Sequence, residues 1–130
     1  MNKSILASVF VLVLSSCASG PAVYNIHDEF VPTLRNGEVL SLERVEKSII
    51  IAAHRRGWSP RVIEPGLIEA SIHIRSHRAA VQIPYSQGSY SIVYKNSEGL
   101  GYKNGRIHGN YNTWVIKLSS TIQKYLRSRR

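Results

Sequence analysis

Residues 68–95 read IEASIHIRSHRAAVQIPYSQGSYSIVYK, and the period of this stretch decides the fold. Ile68, Ala70, Ile72 and Ile74 alternate with Glu69, Ser71, His73 and Arg75. Ala79, Val81, Ile83 and Tyr85 then alternate with Ala80, Gln82 and Pro84, and Tyr90, Ile92 and Tyr94 with Ser91, Val93 and Lys95. A period of two is that of a strand with one buried face. Closing Arg75–Arg78 and Ser86–Ser89 as four-residue turns fixes a register: Ile72 faces Val81, Ala70 faces Ile83, Ile83 faces Ile92 and Tyr85 faces Tyr90. Every large apolar side chain then falls on one face of a three-stranded meander. Val62 and Ile63, ahead of Pro65-Gly66, offer a short fourth strand at an edge, and Pro84 fits only near a strand end.

The flanks change to a helical period. Leu42, Val45, Ile49, Ala52 and Ala53 recur at three and four, with Ser41 as N-cap, Glu43 in the first turn, Arg55 and Arg56 in the last and Gly57 as the stop. Trp114, Leu118, Ile122 and Tyr125 make the stripe of a last helix, for which Asn110 is the expected cap. The expectation is a two-layer α+β domain over 41–130 in the order α-β-β-β-α. Its antiparallel three- to four-stranded meander carries two helices packed on one face.

The chain has 130 residues, enough for one domain, and a formal charge of +9. Its basic residues are dispersed, a balance that favours acidic partners. Cys17 is the single cysteine, so an internal disulfide and a CxxC metal or redox site are both excluded. Residues 1–16 have the layout of an export signal: Lys3, an apolar run from Ile5 to Leu14, then small residues. The run is too short to span a bilayer, which takes about 20 residues.

Leu14-Ser15-Ser16-Cys17 resembles the bacterial lipobox. That resemblance implies cleavage before Cys17, transfer of a diacylglycerol to its thiol and acylation of its new amino group, a firm anchor because several chains add their buried methylenes. Ala18 in place of aspartate favours sorting to the outer membrane, with the domain facing the periplasm. The chain after residue 16 keeps 16 basic against 8 acidic residues, so the charge belongs to the exported part. Residues 17–40, with Gly20-Pro21, Pro32 and Asn36-Gly37, show no sustained period and are expected to be the lipidated N-terminus and a tether.

Little in the chain points to catalysis. The histidines lack companions at metal-ligand spacing, so neither a metal nor a cofactor is expected. Gly99, Gly101 and Gly105 match neither GxGxxG nor GxxxxGK and suggest a flexible connection. No GxSxG elbow exists, and the single aspartate, Asp28, lies in the expected tether. An enzyme would need His108, Tyr111 and a carboxylate such as Glu98 in one cleft. Nucleic acid fits the charge, but Tyr85, Tyr90 and Tyr94 share the apolar face and are expected to be packed, not free to stack bases. The opposite sheet face offers a polar docking surface in which His73, Gln82 and Lys95 are joined by Arg75 and Arg78 at one rim.

Gly57-Trp58, Pro65-Gly66 with Ile68 and Ala70, Ile83 with Tyr85, Tyr90-Ser91-Ile92 with Tyr94, Ser97, Leu100 with Tyr102, and Ile107-His108 ahead of Tyr111-Asn112 and Trp114 make up a further pattern. It resembles that of small lipoproteins of Gram-negative bacteria over about Ser41 to Leu126. The resemblance implies the fold and the compartment and brings no activity with it. The functional expectation is an outer-membrane-anchored binding or scaffolding module for an anionic envelope component, such as lipopolysaccharide or peptidoglycan, or for an acidic envelope protein. The alternative is a small-ligand or chaperone-like module that uses a cleft between helices and sheet.

Overall fold

The computed structural model describes residue 11 and residues 20–128; Leu14 to Cys17 and the terminal Arg129 and Arg130 lie outside the described residues. The fold is mixed α+β. Five strands form one antiparallel sheet, β1 (Ile26–Phe30), β2 (Ser59–Glu64), β3 (Leu67–Ile74), β4 (His77–Pro84) and β5 (Ser89–Glu98), in the spatial order β1-β5-β4-β3-β2. Helix α1 (Leu42–Arg55) precedes β2 and helix α2 (Gly109–Arg127) follows β5.

The three alternating segments are the centre of this sheet, and their apolar side chains share one face. Ile68 pairs with Ile83, Ala70 with Val81 and Ile72 with Ala79. The β3–β4 register is therefore displaced by two residues from the four-residue-turn expectation, because Ile74 pairs with His77 and only Arg75 and Ser76 form the loop. Arg75 takes φ +56°, the left-handed region that lets so short a loop follow the strand twist, although no Gly or Asn advertises it. A slip of two leaves each side chain on its expected face, whereas a slip of one would invert the sheet. The second turn closes as expected, with Tyr85 opposite Tyr90. Lys95 then stands as an extra residue between Val81↔Tyr94 and Ala80↔Asn96, a bulge that extends β5 beyond the expected strand end. Pro84 sits at the last position of β4, exposed and opposite Leu67.

The expected edge strand is present as β2, paired along β3 from Ser59↔Ser71 to Glu64↔Leu67. The expected tether is not what residues 20–40 form. Ile26 pairs with Ile92 and Phe30 with Ser89, making β1 the other edge of the sheet, and Val31 and Leu40 are buried. The period failed to show because an irregularity between Ile26 and Glu29, with Asp28 at φ +50°, breaks the alternation.

Both helices cover the apolar face. Val45, Ile49, Ala52 and Ala53 of α1 and Tyr111, Val115, Leu118 and Ile122 of α2 are fully buried in one cluster with Ile68, Val81, Ile83 and Ile92. Burial of one such aliphatic side chain contributes about 1.5–3 kcal/mol. The Tyr85 hydroxyl donates to Glu46 on α1, while the Tyr90 hydroxyl lies 2.7 Å from Ser119 Oγ on α2. Helix α1 begins as its sequence requires, with Ser41 Oγ accepting from the Arg44 amide at 3.1 Å. It ends in a paired closure: the Trp58 amide donates to Ala53 and the Gly57 amide to His54, with Gly57 at φ +79°. The cap of α2 is His108, not Asn110; its Nδ1 accepts from the Asn110 amide at 3.1 Å.

The glycine-rich connection is held, not flexible. Leu100 and Ile107 belong to the core. Lys103 and Arg106 exchange backbone hydrogen bonds across Asn104-Gly105, both at positive φ, which is a two-residue hairpin turn of the Asn-Gly kind. Turn geometry accounts for Gly105 without any phosphate.

Candidate partner-binding surfaces

The open face of the sheet carries the residues expected to dock a partner. Gln82 stands opposite Glu69 and Arg78 opposite His73, so His73, Arg78 and Gln82 lie together on that face. Lys95 joins them from its bulge. Arg75 lies in the β3–β4 turn, at the end of the sheet. A shallow concavity of about 400 Å³, lined in part by Ser59, His73, Arg78, Asn96 and Glu98, opens here.

The charge on this face is offset. Lys95 Nζ lies 2.6 Å from Glu69 Oε2, and Arg61 approaches the same carboxylate at 3.7 Å. Glu98 faces Arg78 across the β4–β5 ladder. Lys95 is thus engaged within the protein.

The cations on the helical layer are less compensated. Arg44 and Lys47 line a concavity of about 700 Å³ with Ser48, Ile51, Tyr125 and Ser128, between the outer flanks of the two helices. Arg55, Arg56 and Lys124 line a smaller one of about 280 Å³ beside Thr121 and the same Tyr125. Tyr125 lines both, so the two concavities adjoin along the helix pair. At its other end Arg44 also borders a concavity of about 620 Å³ that includes Arg35 and Arg127. Among the described residues both ion pairs centre on Glu69, so none of these helix-side cations has a carboxylate within 4 Å. Two are oriented by neutral oxygens: the Arg44 guanidinium donates to the Ser128 carbonyl, and Arg56 Nε to Thr121 Oγ1 at 2.7 Å. Glu46, which could have neutralised the α1 flank, accepts from Tyr85 instead. Glu43 is the acidic residue that lines the groove.

This surface was legible in principle. Arg44, Lys47, Ile51 and Arg55 recur at three and four along α1, and Thr121, Lys124 and Ser128 do so at the end of α2. Projection of each helix shows those cations on its polar flank; only the crossing of the two helices brings the flanks together.

The remaining groups are spread over different environments. Tyr111 is fully buried, its hydroxyl has no hydrogen-bond partner among the described residues, and burial pushes its pKa up. His108 and Glu98 are exposed, so the three groups weighed for catalysis do not open on one cleft. Tyr85 and Tyr90 lie under the helices, where they cannot stack on bases. The interface between helices and sheet is occupied by Ile49, Ile83, Ile92 and Leu118, all without exposure, and the concavities described above lie outside it. Among the described residues no group of three or more His, Cys, Asp or Glu could hold a metal, and no helix is long and apolar enough to cross a membrane. Comparison with known proteins finds no relative: no family model, no curated protein and no solved structure matches the chain.

Proposed function

We propose that this chain is an outer-membrane-anchored periplasmic lipoprotein, held through Cys17, that serves as a basic binding or scaffolding module. Its docking surface is the groove between α1 and α2, and its partner is an anionic envelope component such as lipopolysaccharide or peptidoglycan, or an acidic envelope protein. One observation supports this reading above the others: Arg44, Lys47, Arg55, Arg56 and Lys124 line adjoining concavities along α1 and α2 with no carboxylate partner among the described residues, whereas Lys95 on the sheet face is already paired. Cations with no internal carboxylate partner add affinity and speed association without first breaking an ion pair.

Photo-crosslinking in intact cells tests the assignment. A crosslinker at Lys47 is expected to capture an envelope component, and one at Gln82 on the sheet face is not. The reverse pattern places the docking surface on the sheet. Incorporation of labelled palmitate, lost in Cys17→Ser, tests the anchor; labelling that persists in that variant contradicts it.

A further inference from the structure

The chain that leads toward Cys17 is fastened to the domain almost at once. The Ile107 amide donates to the Pro21 carbonyl at 3.0 Å and the Val23 amide to Gly105 at 2.8 Å. Arg106 Nη1 donates to the Gly20 carbonyl at 3.0 Å. Asn112 secures the other side, its Nδ2 donating to Ala22 at 2.9 Å and its Oδ1 accepting from the Tyr24 amide at 2.9 Å. Gly20 itself fits closely: at φ +126°, a Cβ there would lie 2.5 Å from the Ile107 carbonyl oxygen.

Cys17 stands only three positions before Gly20. Three fully extended residues reach roughly 10 Å. Acyl chains on Cys17 therefore enter the bilayer within about that distance of one particular end of the domain. The expected tether of some 24 residues would have let the domain turn freely at a distance; the observed fastening does not.

We propose that this end, presenting Tyr24, Arg75, Tyr102, Lys103 and Arg106, lies against the lipid headgroups of the bilayer that holds the anchor. The inference rests on the reading of Cys17 as lipidated. The segments that build this end are 20–25, 75–77 and 98–108; they carry three cations, Arg75, Lys103 and Arg106, against one carboxylate, Glu98. The β3–β4 turn belongs here because a Cβ on Gly99 would lie 2.4 Å from the Ser76 carbonyl oxygen. Tyr24 and Tyr102 are 46% and 48% exposed, and Tyr102 is stacked on Tyr94 at 4.4 Å between ring centroids. Half-exposed tyrosines with an apolar ring and a wet hydroxyl suit the headgroup boundary, and lysine and arginine beside them meet phosphate. Helix α2 starts at this end and runs away from it, so the Arg44 and Arg127 end of the groove points into the periplasm.

Spin-label depth measurement tests the orientation. The full-length lipidated protein is reconstituted into vesicles of phosphatidylethanolamine with phosphatidylglycerol, with the label on Lys103→Cys or, as a second reporter, Tyr102→Cys. Glu64→Cys at the opposite end serves as control. The expected result is loss of collision with a water-soluble relaxation agent at positions 102 and 103 and full collision at position 64. Adding Arg75→Glu is expected to restore collision at position 103 while the protein stays with the vesicles. Equal, full collision at all three positions in vesicle-bound protein overturns the docking and leaves the anchor standing. Protein that stays in solution with an unmodified Cys17 by mass overturns the anchor, and the orientation with it.

Discussion

The amide of Ile107 donates to the carbonyl of Pro21 across a gap of 3.0 Å, and this bond joins the start of the described chain to the loop that precedes α2. It removes most of the freedom that a proline- and glycine-containing N-terminal segment would otherwise have, and it makes Gly20 a structural residue.

Gly20→Val is expected to undo that fastening locally. The new side chain meets the Ile107 carbonyl at a backbone conformation that only glycine adopts readily, at a cost of about 1–3 kcal/mol. Hydrogen exchange is expected to accelerate at the Val23 and Ile107 amides and to stay slow at Ala70 and Val81 in the sheet centre. Unchanged protection at Val23 contradicts the fastening.

Tyr111 yields a prediction about pH. Burial raises its hydroxyl pKa above the ordinary 10, and burial likewise raises those of Tyr90 and Tyr85, the latter helped by Glu46. The neutral forms are favoured in the fold, so their contribution is complete below about pH 10. It is lost as pH rises above that value toward the folded-state pKa values. Because the Tyr111 hydroxyl is buried without a partner, Tyr111→Phe should gain about 1 kcal/mol at neutral pH and flatten the alkaline fall in stability. Urea unfolding at neutral pH and near pH 11 measures both, and destabilisation at neutral pH contradicts the unpaired hydroxyl.

Glu69→Gln separates charge from stability on the sheet face. Lys95 and Arg61 keep side-chain exposures of 39% and 73%, so losing their shared partner should cost less than about 1 kcal/mol. The face becomes more basic, while retention on an anionic matrix, which the helix-side cations set, is expected to stay as in the parent. A drop in stability of several kilocalories would contradict this account of the pairs.

Helix α1 was legible to its ends, because cap, stripe and stop are all local signals. Ser41→Ala should accordingly cost about 1 kcal/mol, measured by urea unfolding, through loss of the bond to the Arg44 amide. The strand faces were legible too, since alternation depends on side-chain chemistry alone. The β3–β4 partners were not: Arg75 adopts a positive φ that its identity conceals, and the loop is two residues shorter than it reads. Strand β1 was hidden for a related reason. The irregularity at Asp28 interrupts its period, and Asp28 answers to Ser91, 63 positions away, whose hydroxyl accepts from its amide at 3.0 Å. The strand period alone puts His73, Arg78 and Gln82 on one sheet face, and Lys95 reaches the same face from its bulge. The pairing of Lys95 with Glu69 depends on the bulge, which composition does not reveal. The helix-side groove needed the crossing of α1 over α2, a tertiary relation.

The most direct test of the central claim is salt-dependent retention of purified protein on immobilised lipopolysaccharide, peptidoglycan and envelope-protein fractions. It compares the parent chain with Lys47→Glu/Lys124→Glu in the groove and with Lys95→Glu on the sheet face. The account predicts that the parent binds at low salt and elutes as salt screens the groove, that the groove variant is not retained, and that the sheet-face variant behaves as the parent does. Retention of the groove variant equal to that of the parent, or no retention of the parent at low salt, would contradict it.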